Sequence, residues 1–233
     1  GTAVAEIFED YDITGRVGTD ILPFFLRDDI QDRCPDVEFV PANDIWGDLT
    51  AVKPDDELAL IEEATAIAEL GMQAAIDAVE PGVTEIELSA AAENAMRREG
   101  SEFNPFICDI VSGKNTAVFN RVPSNKRVRN GELVVMDLGA VHRGYTGEFA
   151  RTVVCGEPSD QQREIYQVVY ESLQACLDAI EPGAVAHDID QAARDVIRDA
   201  GYGRYEHTRC TGHQLGYGLH GEPLIDEGVD AEI

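Results

Sequence analysis

One stretch of this chain occurs twice, and that repetition limits the folds open to it. QAAIDAVEPGVTEIELSAAAENAMRREG (73 to 100) aligns with QACLDAIEPGAVAHDIDQAARDVIRDAG (174 to 201), at an offset of about 101 residues. Roughly a third of the aligned positions are identical, among them Glu80-Pro81-Gly82 against Glu181-Pro182-Gly183; two copies at so long a period exclude a solenoid. Each copy reads as a helix, a Pro-Gly turn, a second helix and then a segment with strand character. That last segment is FICDIVSG in the first copy and HTRCTGHQLG in the second. The pattern predicts a duplicated half-domain folded about a pseudo-twofold axis. Ahead of it, apolar residues recur at helical spacing (Leu58, Ile61, Ala64, Ile67, Leu70) after Pro54-Asp55-Asp56-Glu57. Acidic groups in a first turn favour the positive end of the helix dipole, so a long helix is expected to start here. Residues 1 to 45 mix short apolar runs with turn residues, which places a boundary near residue 50.

Between the two copies, ELVVMDLGAV and GYTGEFARTVVC flank the turn signal HRG and read as an antiparallel hairpin. Asp137 follows LVVM in the first strand and Glu148 lies in the second. Cross-strand partners on one face of a hairpin are about 5 Å apart, so both carboxylates can point into one site. An acidic residue in an apolar strand is costly to bury unless it is paired or binds a metal, and Asp137 is therefore expected to be a ligand. CTGHQLGYGLHGEP (210 to 223) gathers four glycines with His213 and His220. Clustered glycines mark tight turns or close backbone approach. Two imidazoles among them, after the strand of the duplicated half, suggest a metal or acid–base site.

The charge narrows the partners. The chain carries 45 acidic and 18 basic residues, net −27, with lysine only at Lys53, Lys114 and Lys126. Nucleic acid and anionic membranes both need cationic patches, so neither is expected as a partner. The composition is similar to that of proteins from salt-loving archaea, where a Debye length of about 3 Å screens self-repulsion. No apolar run reaches the roughly 18 residues of a membrane helix. The five cysteines form no C-x-x-C pair and read as reduced thiols, which with the lack of a secretory signal points to the cytoplasm. The absence of a leading Met leads us to expect a missing or processed start.

MDLGA, GYTGEFARTV and TGHQLGYGLHGEP together resemble the pita-bread family that contains methionine aminopeptidase, the Xaa-Pro aminopeptidases and dipeptidases, and creatinase. The resemblance covers residues 50 to 233 and is greatest to the Xaa-Pro branch. It implies an α/β (α+β) pita-bread fold, with duplicated helix–helix–strand halves around a curved antiparallel sheet. Residues 1–50 would be the C-terminal part of a creatinase-type N-terminal domain, and 51–233 the catalytic domain. It further implies that Asp137, Glu148 and His213 bind two divalent metals, manganese or cobalt before zinc or iron, a donor set suited to such ions. His220 and Glu222 would be catalytic, with Asn120 and His220 touching a short peptide substrate that is cut before proline. The family also leads us to expect a homodimer and two further glutamate ligands, in a C-terminal segment that the sequence lacks.

Four features depart from the Xaa-Pro pattern. Glu148 stands where the bridging residue is usually Asp. Asn120-Arg121 replaces a His-His or His-Gly pair before VPS. His220-Gly221-Glu222 replaces the usual adjacent His and Glu, and the last two ligands lie outside the chain. These departures keep two other functions open. One is a metal-free, creatinase-like C–N hydrolase of a small compound, with Glu148 and His220 as acid–base groups. The other is a non-catalytic member that binds peptide or protein.

Overall fold

The structure is a computed structural model that describes residues 1–206 and 209–233; of the segment HTRCTGHQLG, His207 and Thr208 lie outside the described residues. The chain divides into two compact units, Gly1–Val52 and Lys53–Ile233. In the first, β1 (Gly15–Thr19) and β2 (Val37–Pro41) pair in parallel through α2 (Phe24–Arg33), with α1 (Thr2–Asp10) before them and α3 (Asn43–Ala51) after. Its core is small and centres on Ala5, Ile30 and Val37.

The second unit carries the repeat as two helix pairs, α4 (Asp55–Asp77) with α5 (Glu85–Arg98) and α6 (Asp160–Ala179) with α7 (Ala186–Asp199). The shared Glu-Pro-Gly turn has a backbone reason: Gly82 and Gly183 have φ of 100° and 88°, which a side chain disfavours. Each turn is then braced in the same way by a later segment. Gly82 N–H donates to Val128 O (2.8 Å) and Val128 N–H returns to Val83 O (2.8 Å). In the second copy Gly183 N–H donates to Ile233 O (2.7 Å) and Ile233 N–H returns to Ala184 O (3.0 Å). The duplication therefore extends past the helices to the later segments that lock the turns.

After the first pair come β3 (Asp109–Ser112), β4 (Leu133–His142) and β5 (Tyr145–Val154), which form an antiparallel sheet in the order β3-β4-β5. After the second pair come β6 (Gly212–Gly216) and β7 (Gly218–Ile225), an antiparallel pair. Among the described residues the two sheets are joined by one bridge, Tyr145 to Tyr217, and not by a continuous ladder. The expected curved sheet is thus two antiparallel pieces meeting at that bridge.

Strand alternation sets what faces where. Val134, Met136, Leu138 and Ala140 of β4 are fully buried against Ile67, Met72, Leu88 and Met96 of α4 and α5. The intervening residues, Asp137 among them, face the opposite side of the sheet. The helical spacing in α4 holds, but its inner face is not led by its large residues. Ala64, Ile67, Ala68, Gly71, Met72 and Ala75 are buried, whereas Leu58 and Leu70 are exposed. The reason is how near the helix runs to β5. A Cβ built on Gly147 would lie 2.2 Å from the Thr65 nitrogen and 2.4 Å from the Ala64 carbonyl carbon. Only small residues fit such an approach. Gly147→Ala is accordingly expected to destabilise the protein by at least about 1–3 kcal/mol, read from the denaturant midpoint at constant slope.

Candidate functional site

The sheet register brings together residues from three strands. Asp137 pairs with Ala150 across the β4–β5 ladder and Gly139 with Glu148, so Glu148 is the diagonal neighbour of Asp137 on the same face. On the other side of β4, Asp109 is paired directly with Asp137. Nothing in the sequence marks Asp109, because FICDIVSG looks like an ordinary buried strand. Only the register shows that its one acidic residue lies opposite Asp137.

The second half supplies the imidazoles. The β6–β7 ladder is irregular between Gly212 and Gln214 and between Gln214 and Gly216, and such bulges re-aim side chains. The His213 and His220 rings stand 4.4 Å apart, tilted by 56°. His213 Nε2 is 3.4 Å from Glu148 Oε2, and its Nδ1 is 3.1 Å from the Gln214 carbonyl. Lys53 donates to the Gln214 side chain and helps to fix this strand. The chain entering β6 is held from below by a buried pair on α7. Asp190 accepts from Arg194 Nε (2.6 Å) and from Thr211 Oγ1 (2.5 Å), and Arg194 donates to Arg209 O (3.0 Å).

These groups line a cavity of about 1060 Å³, a size that suits a small organic ligand or short peptide. Its walls include Phe106, Phe119, Val122, Leu215 and Leu219, with Asn120, Arg121, Arg209 and His220 as polar members. Arg209 stacks on Phe119 with its guanidinium 4.7 Å from the ring centre. Asn120 adopts a left-handed φ of 49°, which Asn tolerates better than most residues. Cys210 in the wall remains a thiol, because burial and the charge of Asp226 push its pKa up, so it is no ready nucleophile. Glu222, expected to be catalytic, is not among the cavity walls; it is exposed, and its carboxylate accepts from Leu224 N–H (3.2 Å).

The electrostatics show how unusual the carboxylate face is. Burial pushes Asp109 up to about 6, the charge of Asp137 adds to this, and the Arg121 backbone N–H opposes it. Burial also raises Asp137, against the pull of His213 and a hydrogen bond with Glu148. Glu148 is raised by burial and by the charge of Asp137, against the pull of His213. His220 is lowered by burial, then by His213 and Arg209, and stays neutral at pH 7.

Does this set suit a divalent ion? Oδ1 of Asp137 and Oδ1 of Asp109 are buried with no hydrogen-bond partner, although a desolvated carboxylate oxygen needs a donor or a cation. The donors are carboxylate oxygens and one imidazole, which suits hard to borderline divalent metals. The residues fit in kind, and they line one cavity. Their arrangement is not one that grips an ion as it stands: among the described residues no group of three or more His, Cys, Asp or Glu side chains meets that condition. Glu148 instead turns its carboxylate onto Asp137 and His213.

One further residue was not legible from sequence. Glu85, at the start of α5, is fully buried, and its carboxylate accepts from Ser112 N (2.8 Å), Asn115 Nδ2 (2.9 Å) and Ser124 Oγ (2.7 Å). It pins both ends of the loop that carries Phe119, Asn120 and Arg121 over the cavity. Burial works against its charge, but the hydrogen bonds from Ser124, Ser112 and Asn115 outweigh it and hold its pKa below the ordinary value.

The sequence profile of metallopeptidase family M24 matches residues 59–233. An Xaa-Pro dipeptidase of Pyrococcus furiosus is 34% identical over 224 residues, which is 96% of this chain and 64% of that protein. The chain thus spans less than two thirds of that relative's length. The structure of a prolidase from Pyrococcus furiosus superimposes with a TM-score of 0.91 at 34% identity, over 98% of this chain and 68% of that one. An X-Pro aminopeptidase from Thermotoga maritima superimposes with a TM-score of 0.86 at 28% identity, over 99% and 66%.

Because Glu85 has a depressed pKa, its stabilisation is present above the unfolded value of about 4.3 and is lost as pH falls. Glu85→Gln should lower stability at pH 7 by about 1–3 kcal/mol, since the amide N–H₂ would be set against the backbone and Asn115 N–H donors that the carboxylate satisfies. The variant should also lose less stability than wild type between pH 6 and pH 3, as urea melts would show.

Proposed function

This chain belongs to metallopeptidase family M24, and from that footing we propose that it cleaves the bond before proline in short peptides, as an Xaa-Pro dipeptidase or aminopeptidase. The observation that supports this reading most is the convergence of Asp137, Glu148 and His213 from three strands on one cavity, with a buried Asp137 oxygen that lacks a partner. In this proposal the three side chains hold two divalent metal ions, manganese or cobalt. When bound, such ions polarise the scissile carbonyl and acidify water.

The chain's own residues do the rest. Asp137 and Glu148 supply negative oxygens on one face of the sheet. His213 presents Nε2 to the same point, its other nitrogen turned to the Gln214 carbonyl. His220 is neutral and lies beside His213, so it can donate to or accept from a substrate at working pH. Asn120 reaches the cavity from its left-handed turn and offers an amide N–H to a substrate carbonyl. Arg209, placed over the Phe119 ring, offers a cation to a substrate carboxylate at contact distance. Phe106, Val122, Leu215 and Leu219 give an apolar wall against which a proline ring packs. Glu222 takes no part in this scheme.

We extend the proposal to the chain's organisation. Residues 1–50 act as the C-terminal part of a creatinase-type N-terminal domain and 51–233 form the catalytic domain, consistent with the division at Val52. The enzyme works in the cytoplasm as a homodimer. A metal-free C–N hydrolase is the second reading, favoured by one observation: Glu148 already contacts Asp137 and His213 as a proton-sharing group would.

The test uses full-length protein in high salt, assayed on Xaa-Pro and Xaa-Ala dipeptides. We expect hydrolysis of the Xaa-Pro peptides, its loss on chelation and its return with Mn²⁺ or Co²⁺. His213→Ala should cost about 100-fold or more in kcat/KM. Hydrolysis of a small amidino compound that survives chelation would replace this reading with the metal-free one.

A further inference from the structure

Resting on the metal reading above, we infer that Asp109 is a further metal-holding carboxylate, contributed by β3 from directly across the ladder. Asp109 and Asp137 are register partners on adjacent antiparallel strands, so their side chains rise from the same face about 5 Å apart at Cβ. Like charges placed this way destabilise a sheet unless something positive lies between them. Each carboxylate has an Oδ1 that is buried and without a hydrogen-bond partner. Both residues line the same cavity, beside Glu148 and His213.

The cations already in the wall do not answer this demand. Arg209 lies on the Phe119 ring, and Arg121 reaches Asp109 through its backbone N–H. Glu206, the other acidic residue in the wall, is held by Arg198 at 2.9 Å. Asp109 is therefore the acidic wall residue, beyond Asp137 and Glu148, left with an uncommitted oxygen. A divalent ion held by Asp109 and Asp137 would give both orphan oxygens a partner and offset their repulsion. The position of Asp109 on β3 keeps it rigid: β3 is held by β4 on one side, and Ser112 at its end is bonded to Glu85.

The experiment titrates Mn²⁺ into chelator-stripped, full-length wild type and Asp109→Asn at fixed salt. Binding is read by calorimetry and by the paramagnetic resonance signal of free Mn²⁺, and melting is followed with and without metal. Asn keeps the shape and an acceptor for Arg121 but removes the charge. We expect Asp109→Asn to bind one fewer ion, or to bind about 10–100-fold more weakly, with a smaller metal-induced rise in melting temperature. An unchanged ion count, with affinity within about twofold of wild type, would overturn the assignment of Asp109 while leaving the proposed function standing. So would a variant whose melting temperature falls equally with and without metal, the mark of a merely structural role. If Asp109→Asn does not fold, Asp109→Ser is read by the same criteria. Wild type that binds no Mn²⁺ at all would overturn the metal reading itself, and this inference with it.

Discussion

A carboxylate deprived of water is the constraint around which the second unit is arranged. Asp137 sits in a strand whose alternate residues, Met136 and Leu138 among them, are fully buried in the main core. Its neighbours fix its direction, because turning it inward would drive a charge among methionines and leucines at a cost of several kcal/mol. It therefore faces the other side of the sheet, where Asp109 and Glu148 arrive by register and not by local sequence. Three acidic groups in one desolvated patch are unfavourable as a folding feature. Perturbed carboxylates of this kind mark functional sites, which is the physical ground on which the proposed chemistry is placed here.

The duplication explains how a nitrogen donor reaches that patch. Each half runs helix, left-handed glycine turn, helix, strand, and each turn is locked by the same reciprocal pair of backbone bonds. The first half delivers β3 with Asp109, and the second delivers β6 with His213. The halves have diverged in how they secure their strand. In the first, Glu85 gathers donors from Ser112, Asn115 and Ser124 onto one buried carboxylate. In the second, Asp190 and Arg194 form a buried pair that reaches Thr211 and Arg209. Both devices set the position of cavity residues from behind the cavity. The first unit, with its small core, makes no such demand on its sequence.

Much of this was legible in the residues. The helix pairs, the Pro-Gly turns and the hairpin are local patterns, and local patterns carry their own signal of period and turn chemistry. Asp137 announced itself as a charge inside an apolar strand, and His213 and His220 as imidazoles among glycines. What failed to show depends on relations between distant segments. Asp109 is unremarked until β3 is laid against β4, since a single strand does not state its partner. Glu85 looks like any acidic residue in a helix's first turn, and only the folded loop reveals its buried donors. Leu58 and Leu70 follow the helical period yet are exposed, because the tight approach at Gly147 rewards small side chains over large ones. Glu222 follows a histidine at a suggestive spacing, but as a strand residue on β7 it is exposed beside Leu224.

The net charge of −27 poses a last physical question, how so acidic a chain would admit the carboxylate-bearing peptide of the proposed function. At low ionic strength the field of that charge extends over about 10–30 Å and would oppose entry. Contacts inside the cavity act over a shorter range. Arg209 is placed on an aromatic ring, and Arg121 and Asn120 lie on a loop pinned by Glu85, so attraction is concentrated at contact distance. At molar salt the Debye length falls to about 3 Å, which removes the long-range repulsion but leaves partly desolvated contacts largely intact. The same screening weakens self-repulsion in the fold. Surface charge and site charge are thus separable by range. With an acidic surface and arginines in the cavity wall, added salt would ease entry of the proposed substrate by screening the surface, while recognition would stay with the side chains in the wall.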